Sequence, residues 1–154
     1  MQIAGDFAVR SPPDRVYAFF LDPVAFIDCL DDPHEVHAVD ADHFEGVVTS
    51  GIGFIRGRFR VRGTYLERTP PSSLRAKLQG SGLGSGIDAD LTLTIRAADG
   101  TTTVHWEGQV ALSGPVATLG ERMVGSTIDK KAAGLFENAR KRLEGAAEPP
   151  KVTT

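Results

Sequence analysis

The densest run of like charge in the chain is Arg56-Gly57-Arg58-Phe59-Arg60-Val61-Arg62, with a basic residue at every second position. On a β-strand this spacing sets four guanidinium groups on one face and Phe59 and Val61 on the other. Arg75 and Lys77 carry the phase to join the row from the next strand. Like charges about 7 Å apart repel, so the row needs anions. Two sources fit: solvent with Glu45 and Asp90 as local partners, or a docked acidic protein or anionic lipid headgroup.

The acid and base residues point to less. His34, His37 and His43 lie near Glu35, Asp40 and Asp42. His34 and His37 have opposite strand phase, however, so they do not converge on a metal as a helical pair one turn apart would. His105 and Glu107 share an outward phase. Cys29 is the single cysteine and sits among Phe26, Ile27 and Leu30, which predicts a buried packing role and excludes an internal disulfide. Serine nucleophile elbows, phosphate loops and HExxH are absent from the sequence. The glycine-rich run Gly80 to Gly86 precedes a strand and has no following lysine, so it reads as a mobile hairpin that gates a pocket mouth. No catalytic residue, metal site or cofactor is expected.

The elements that must position these groups follow from periodicity. Ile3, Gly5, Phe7 and Val9 alternate with polar or small residues, predicting a strand over Gln2 to Val9. Ser11-Pro12-Pro13-Asp14 opens a helix with a capping serine, and Asp22-Pro23 opens a second short one. From His34 to about Leu112 only strand alternation appears. Its clearest segments are Phe54 to Leu66, Leu74 to Gln79, Ile87 to Arg96 and Thr101 to Leu112. Apolar residues then recur at helical spacing from Pro115 to Leu143, a helix of about 43 Å at roughly 1.5 Å per residue. The fold class is α+β, a curved antiparallel sheet of about seven strands gripping a long C-terminal helix. Residues 1–143 form one domain, and Glu144 to Thr154 is expected to be a disordered polar tail.

Inward phases define a candidate pocket. Phe44, Val48, Phe59, Val61 and Tyr65 face it from the first half of the sheet. Leu78, Leu91, Leu93, Trp106 and Val110 face it from the second half, and Leu119, Met123 and Val124 from the helix. Gly57, Gly63 and Gly108 on inward phases, with Ala117, Gly120 and Gly125 on the helix, withdraw volume where a solid core would be filled. The same glycines also suit close backbone packing and sheet curvature.

Composition sets outer limits. The chain has 154 residues, 41% hydrophobic and 24% charged, and 17 of them are glycine. A chain of this length buries on the order of 70% of its unfolded surface and needs no staple. Its net charge of -3 gives no general positive field for nucleic acid. No apolar run approaches the roughly 20 residues of a membrane span, and the first residues lack a signal-peptide layout, so a cytoplasmic protein is expected.

The order of elements resembles the START-like, helix-grip superfamily of polyketide cyclases and lipid-transfer proteins. Within it the chain resembles the CoxG family associated with aerobic carbon monoxide dehydrogenase. The match is carried by Asp22-Pro23 followed by Cys29, by Gly53-Phe54-Ile55-Arg56-Gly57-Arg58-Phe59 and by the Pro70-Pro71 turn. It continues through Gly80 to Gly86 and Leu119 to Val124 to Lys130-Lys131. The family pattern has Ile-Pro-Gly after the cysteine, where this chain has Leu30-Asp31-Asp32-Pro33. Dehydrogenase-linked members often end in a hydrophobic membrane segment, and none follows Leu143 here, so no permanent anchor is expected.

The resemblance implies a non-enzymatic carrier of a hydrophobic small molecule, quinone- or lipid-like. It implies a molybdenum hydroxylase or an anionic membrane surface as partner, and a peripheral place at the inner membrane face. Two alternatives stay open. One is a cyclase or dehydratase, which needs converging titratable groups and finds only Tyr65 and Glu67 on inward phases. The other is an adaptor that works through the arginine face over a filled core.

Overall fold

The structure, a computed structural model, describes residues 1–147. Seven strands form one antiparallel sheet in the order β1-β7-β6-β5-β4-β3-β2. They are β1 (Gln2–Val9), β2 (His34–Ala38), β3 (His43–Ile52), β4 (Ile55–Thr69), β5 (Ser73–Gly82), β6 (Ser85–Ala98) and β7 (Thr101–Ser113). Two short helices, α1 (Pro13–Leu21) and α2 (Pro23–Ile27), follow β1, and α3 (Pro115–Thr118) and α4 (Glu121–Ala147) close the chain. Strands consecutive in sequence are joined by short turns except β1 and β2, between which α1 and α2 intervene.

Local chemistry explains most boundaries. Asp22 accepts hydrogen bonds from the backbone N–H of Val24 and Ala25 and so starts α2 as predicted. Ser11 does not cap α1. The cap is Pro12, and the Ser11 hydroxyl is buried with no partner among the described residues. The residue carrying the tie at this corner is Thr102, which donates to the Ser11 carbonyl.

The predicted single helix from Pro115 is two helices. Gly120 takes φ +89, a left-handed conformation that favours glycine, and its carbonyl accepts the Val124 N–H that begins α4. At its far end α4 runs to Ala147, four residues into the expected tail. Glu144 holds that extension by accepting from Arg140 at 2.9 Å and from the Arg10 N–H at 3.2 Å. The rest of the expected tail lies outside the described residues.

The glycine-rich run is a hairpin, as expected, and its strands reach further into the run than the alternation marked. Gly80, Ser81 and Gly82 pair with Ile87, Gly86 and Ser85, leaving a turn of only Leu83 and Gly84. Both turn residues have positive φ, 55 and 77, the sign a tight type I′ hairpin requires. Only Leu83 and Gly84 of the run are turn, and the rest is paired strand.

The main core is aromatic. Trp106 stacks on Phe136 at 4.8 Å, and Phe7, Phe20 and Phe26 surround the same ring. A second, smaller cluster of Ile52, Ile55, Phe59, Val116 and Val124 fills the end of the sheet nearest α3.

The loop between α2 and β2 is fastened to α4. Arg142 bonds the Asp28 carboxylate and carbonyl, Asn138 bonds the Cys29 carbonyl and Asp31, and Lys131 bonds Asp32. His34 completes the loop, with Nδ1 2.7 Å from the Asp32 carbonyl and Nε2 2.8 Å from Asp28. The bond to the Asp32 carbonyl, and then the Asp28 carboxylate, raise the His34 pKa above its ordinary 6.5. A raised folded pKa gives stability that is full below the ordinary value and lost as pH rises through the higher folded one. The thermal advantage of the wild type over His34→Gln is therefore expected to shrink by roughly 2 °C between pH 6 and pH 8. Thermal melts of both proteins across that range check it, and a constant or growing advantage contradicts it.

Candidate functional site

A cavity of about 250 Å³ lies between the sheet and α4. Seven of the predicted side chains line it: Val48 from β3, Phe59 and Val61 from β4, Leu78 from β5, Leu91 from β6, and Trp106 and Val110 from β7. Alternation explains the convergence, because each residue is on the inward phase of its strand and β3 to β7 are consecutive neighbours in the sheet. α4 closes the cavity with Ile128, Ala132, Leu135 and Phe136, spaced at three and four residues along one helical face.

The other six predicted residues lie elsewhere. Phe44, Tyr65 and Leu93 sit in the main core, where Phe44 packs on the Tyr65 ring at 5.7 Å. The Tyr65 hydroxyl donates to the Phe20 carbonyl at 2.9 Å, and burial pushes its pKa well above the ordinary value. Val124 is buried in the smaller cluster. Leu119 and Met123 miss the cavity because the chain breaks at Gly120. Their side chains lie against Gly53 at the tip of the β3–β4 hairpin, and Met123 is 45% exposed.

The glycines do not hollow the interior in the way their phases suggest. A Cβ on Gly63 would run into the Phe44 ring, and one on Gly57 would meet Leu83 at 2.8 Å. A neighbouring side chain has taken each vacated space. Gly108 borders the cavity, yet Ile3 approaches its Cβ position to 3.0 Å. Gly80 is different: it borders the cavity, and the nearest atom to a Cβ there would be 3.7 Å away.

The pair considered for acid and base chemistry does not form. A bulge between Tyr65 and Glu67 reverses the phase of β4, so Glu67 is exposed and pairs with Arg75 at 3.6 Å. Arg68 lies 5.0 Å over the Tyr65 ring, but its guanidinium is bound to Asp42 and the Ala41 carbonyl. Cys29 is fully buried, and burial pushes its thiol up to about 11, which keeps it protonated and inert. His105 is held between Asp6 at 2.6 Å and Glu107 at 2.9 Å on the outer face.

Three polar residues at the cavity escaped the apolar pattern: Asp32, Ser50 and Lys131. Ser50 shares the inward phase of Phe44 and Val48, and Lys131 lies one turn from Ile128, so the phase was there to be read.

The arginine row occupies the outer face of β4 as predicted, and its two ends differ. Arg62 pairs with Glu45 at 3.5 Å, and Arg60 borders an outer groove that also holds His37, Glu45 and Asp88. Asp90 is taken by Arg75 through two bonds of 2.9 and 2.8 Å. Among the described residues no ion pair reaches Arg56 or Arg58. These two flank a tip where Phe54 is 81% and Leu83 54% exposed.

Solved structures share this architecture. A conserved protein from Geobacillus kaustophilus superposes with a TM-score of 0.84 at 17% identity, covering 93% of this chain and 95% of that one. The Zhui aromatase/cyclase from Streptomyces sp. R1128 superposes with a TM-score of 0.74 at 8% identity over 98% of both chains. A protein from Thermus thermophilus gives 0.71 at 16% identity, over 96% of this chain and 100% of that one. At these identities the likeness establishes the helix-grip fold. No curated protein sequence matches the chain. The family model for CoxG, a carbon monoxide dehydrogenase subunit, matches residues 5–144. With a helix-grip fold and that match over nearly its whole described length, the chain belongs to the carbon monoxide dehydrogenase CoxG family.

Proposed function

We propose that the protein is a carrier for a hydrophobic small molecule, quinone- or lipid-like, and that it serves a molybdenum hydroxylase of the carbon monoxide dehydrogenase type at an anionic membrane surface. The observation that carries the reading is the cavity of about 250 Å³ walled by apolar side chains of β3 to β7 and α4. Concave, mostly apolar sites with few polar groups are what such ligands need. Membership of the CoxG family supports the dehydrogenase link. Extraction of the purified protein with organic solvent should release an apolar molecule detectable by mass spectrometry. A protein that yields none, and takes up none when offered quinones and lipids in solution, is not a carrier.

The docking half of the reading rests on the tip. Phe54, Leu83 and Met123 are exposed apolar side chains on the β3–β4 turn, the β5–β6 turn and the start of α4. Met123 and Leu119 lie against Gly53, next to Phe54, and Leu83 lies against Gly57 further along β4. Apolar tips beside arginines outside any ion pair suit a bilayer with anionic headgroups, each cation contributing about 1 kcal/mol near such a surface. No helix of the described residues is long and apolar enough to cross a membrane, and the proposed contact is a peripheral one. Double reversal of Arg56 and Arg58 to Glu should weaken binding to phosphatidylglycerol vesicles at least about tenfold and leave cavity binding intact. Unchanged sedimentation with those vesicles would refute membrane docking and leave the arginines as a solvated face.

A further inference from the structure

The cavity lining is apolar except at Asp32, Ser50 and Lys131, and the last two both bond the Asp32 carboxylate. Ser50 Oγ donates to Asp32 Oδ2 at 2.9 Å, and Lys131 Nζ donates to the same oxygen at 2.8 Å. Asp32 comes from the loop after α2, Ser50 from β3 and Lys131 from α4. Three separate elements therefore place their polar atoms at one spot on an otherwise apolar wall. The side chains of Asp32 and Lys131 are 27% and 32% exposed, so the pair is drawn in toward the cavity rather than left in open solvent.

We propose that this cluster is the head-group subsite of the cavity, selecting apolar ligands that end in an uncharged hydrogen-bond acceptor such as a carbonyl. The inference rests on the carrier reading above and specifies its ligand. Charge balance carries the selection. Asp32 neutralises Lys131, so a ligand carboxylate would meet a like charge at short range without a spare cation to offset it. A ligand ammonium would meet Lys131 in the same way. A neutral carbonyl suffers neither repulsion. An ammonium group has three N–H donors, and the bond to Asp32 uses one, which leaves donors for a carbonyl oxygen. A pure hydrocarbon gains nothing from them. The cavity is smaller than the roughly 300–1,000 Å³ of common small-molecule sites, so it takes a compact ring or a head group.

The test uses the full chain and three probes of one shape in calorimetric titrations at pH 7: 2-acetylnaphthalene, 2-ethylnaphthalene and 2-naphthoate. In the wild type the acetyl compound should bind about fivefold tighter than the ethyl compound, the worth of one net hydrogen bond, and naphthoate should bind most weakly. Lys131→Met should erase the acetyl preference while keeping affinity for the ethyl compound. Asp32→Asn, which keeps the side-chain shape and leaves Lys131 uncompensated, should raise naphthoate affinity at least about fivefold. This variant carries the test should Lys131→Met fail to fold. Equal binding of the acetyl and ethyl compounds to the wild type overturns the subsite and leaves the carrier reading standing. A preference that survives Lys131→Met, or naphthoate affinity unmoved by Asp32→Asn, does the same. Binding of none of the three overturns both.

Discussion

Replacing Gly80 with leucine is expected to make the protein more stable and unable to bind. Gly80 is on the inward phase of β5 and borders the cavity, and the nearest atom to a Cβ there would be the Ile87 carbonyl oxygen at 3.7 Å. A side chain at this position therefore grows into free space. The substitution removes the glycine cost of about 0.5–1 kcal/mol in a strand and buries a leucine worth about 1.5–3 kcal/mol. A net gain of about 2 kcal/mol corresponds to a rise in Tm of roughly 4–8 °C for a chain of this size. The same atoms occupy much of the 250 Å³ that a ligand would need, so affinity for 2-acetylnaphthalene should fall at least about tenfold. Thermal unfolding and calorimetric titration of one preparation read both effects. A stabilised variant that binds as the wild type does would show that the ligand sits elsewhere. A destabilised one would show that the space is already needed by the wall.

Phe136→Ala is expected to give the largest loss of stability. The ring is 4% exposed and lies within 4.8 to 6.2 Å of Trp106, Phe20, Phe7 and Phe26. It is the point at which α4, β1, β7, α1 and α2 meet. Truncating a buried phenylalanine costs about 3–5 kcal/mol, part of it the cavity left behind, and the Tm should drop by roughly 10 °C or more. Because Phe136 also borders the ligand cavity, the vacated space joins it rather than closing as a separate void. Trp106 is the only tryptophan and stacks on this ring, so its near-ultraviolet circular dichroism and emission report the change directly. A Tm within about 3 °C of the wild type would mean that the aromatic cluster repacks around the loss.

The sequence was most legible where one physical rule acted alone. Alternation in β1 and β4 to β7 located each strand to within about three residues, because each strand has one core face and one wet face. It was least legible where two rules competed. Leu119 and Met123 keep helical spacing with the rest of α4, yet the backbone turns at Gly120, and no periodicity records a single positive φ. The inward glycines advertise missing volume, but only the folded neighbours decide whether Phe44 or Leu83 fills it or, as at Gly80, nothing does. Glu67 shares the phase of Tyr65 until a bulge shifts it. Lys131 and Ser50 were in phase with the cavity but polar, and a search for apolar lining passes over the groups that would confer specificity. Asp32 arrives from a loop and leaves no periodic trace.

The five bonds that fasten the loop after α2 to Lys131, Asn138 and Arg142 are spread over twelve residues of α4, about 16 Å of its axis. Lifting the helix from that side would break them together, whereas the opposite end is joined to α3 through Leu119 and Gly120. One end of α4 is thus sewn down by polar bonds, and the other is held by apolar packing around Val124. Hydrogen exchange along α4 should follow that division, slow near Asn138 and fast toward Glu121, and a guest should come and go at the end where Phe54 and Leu83 already face outward.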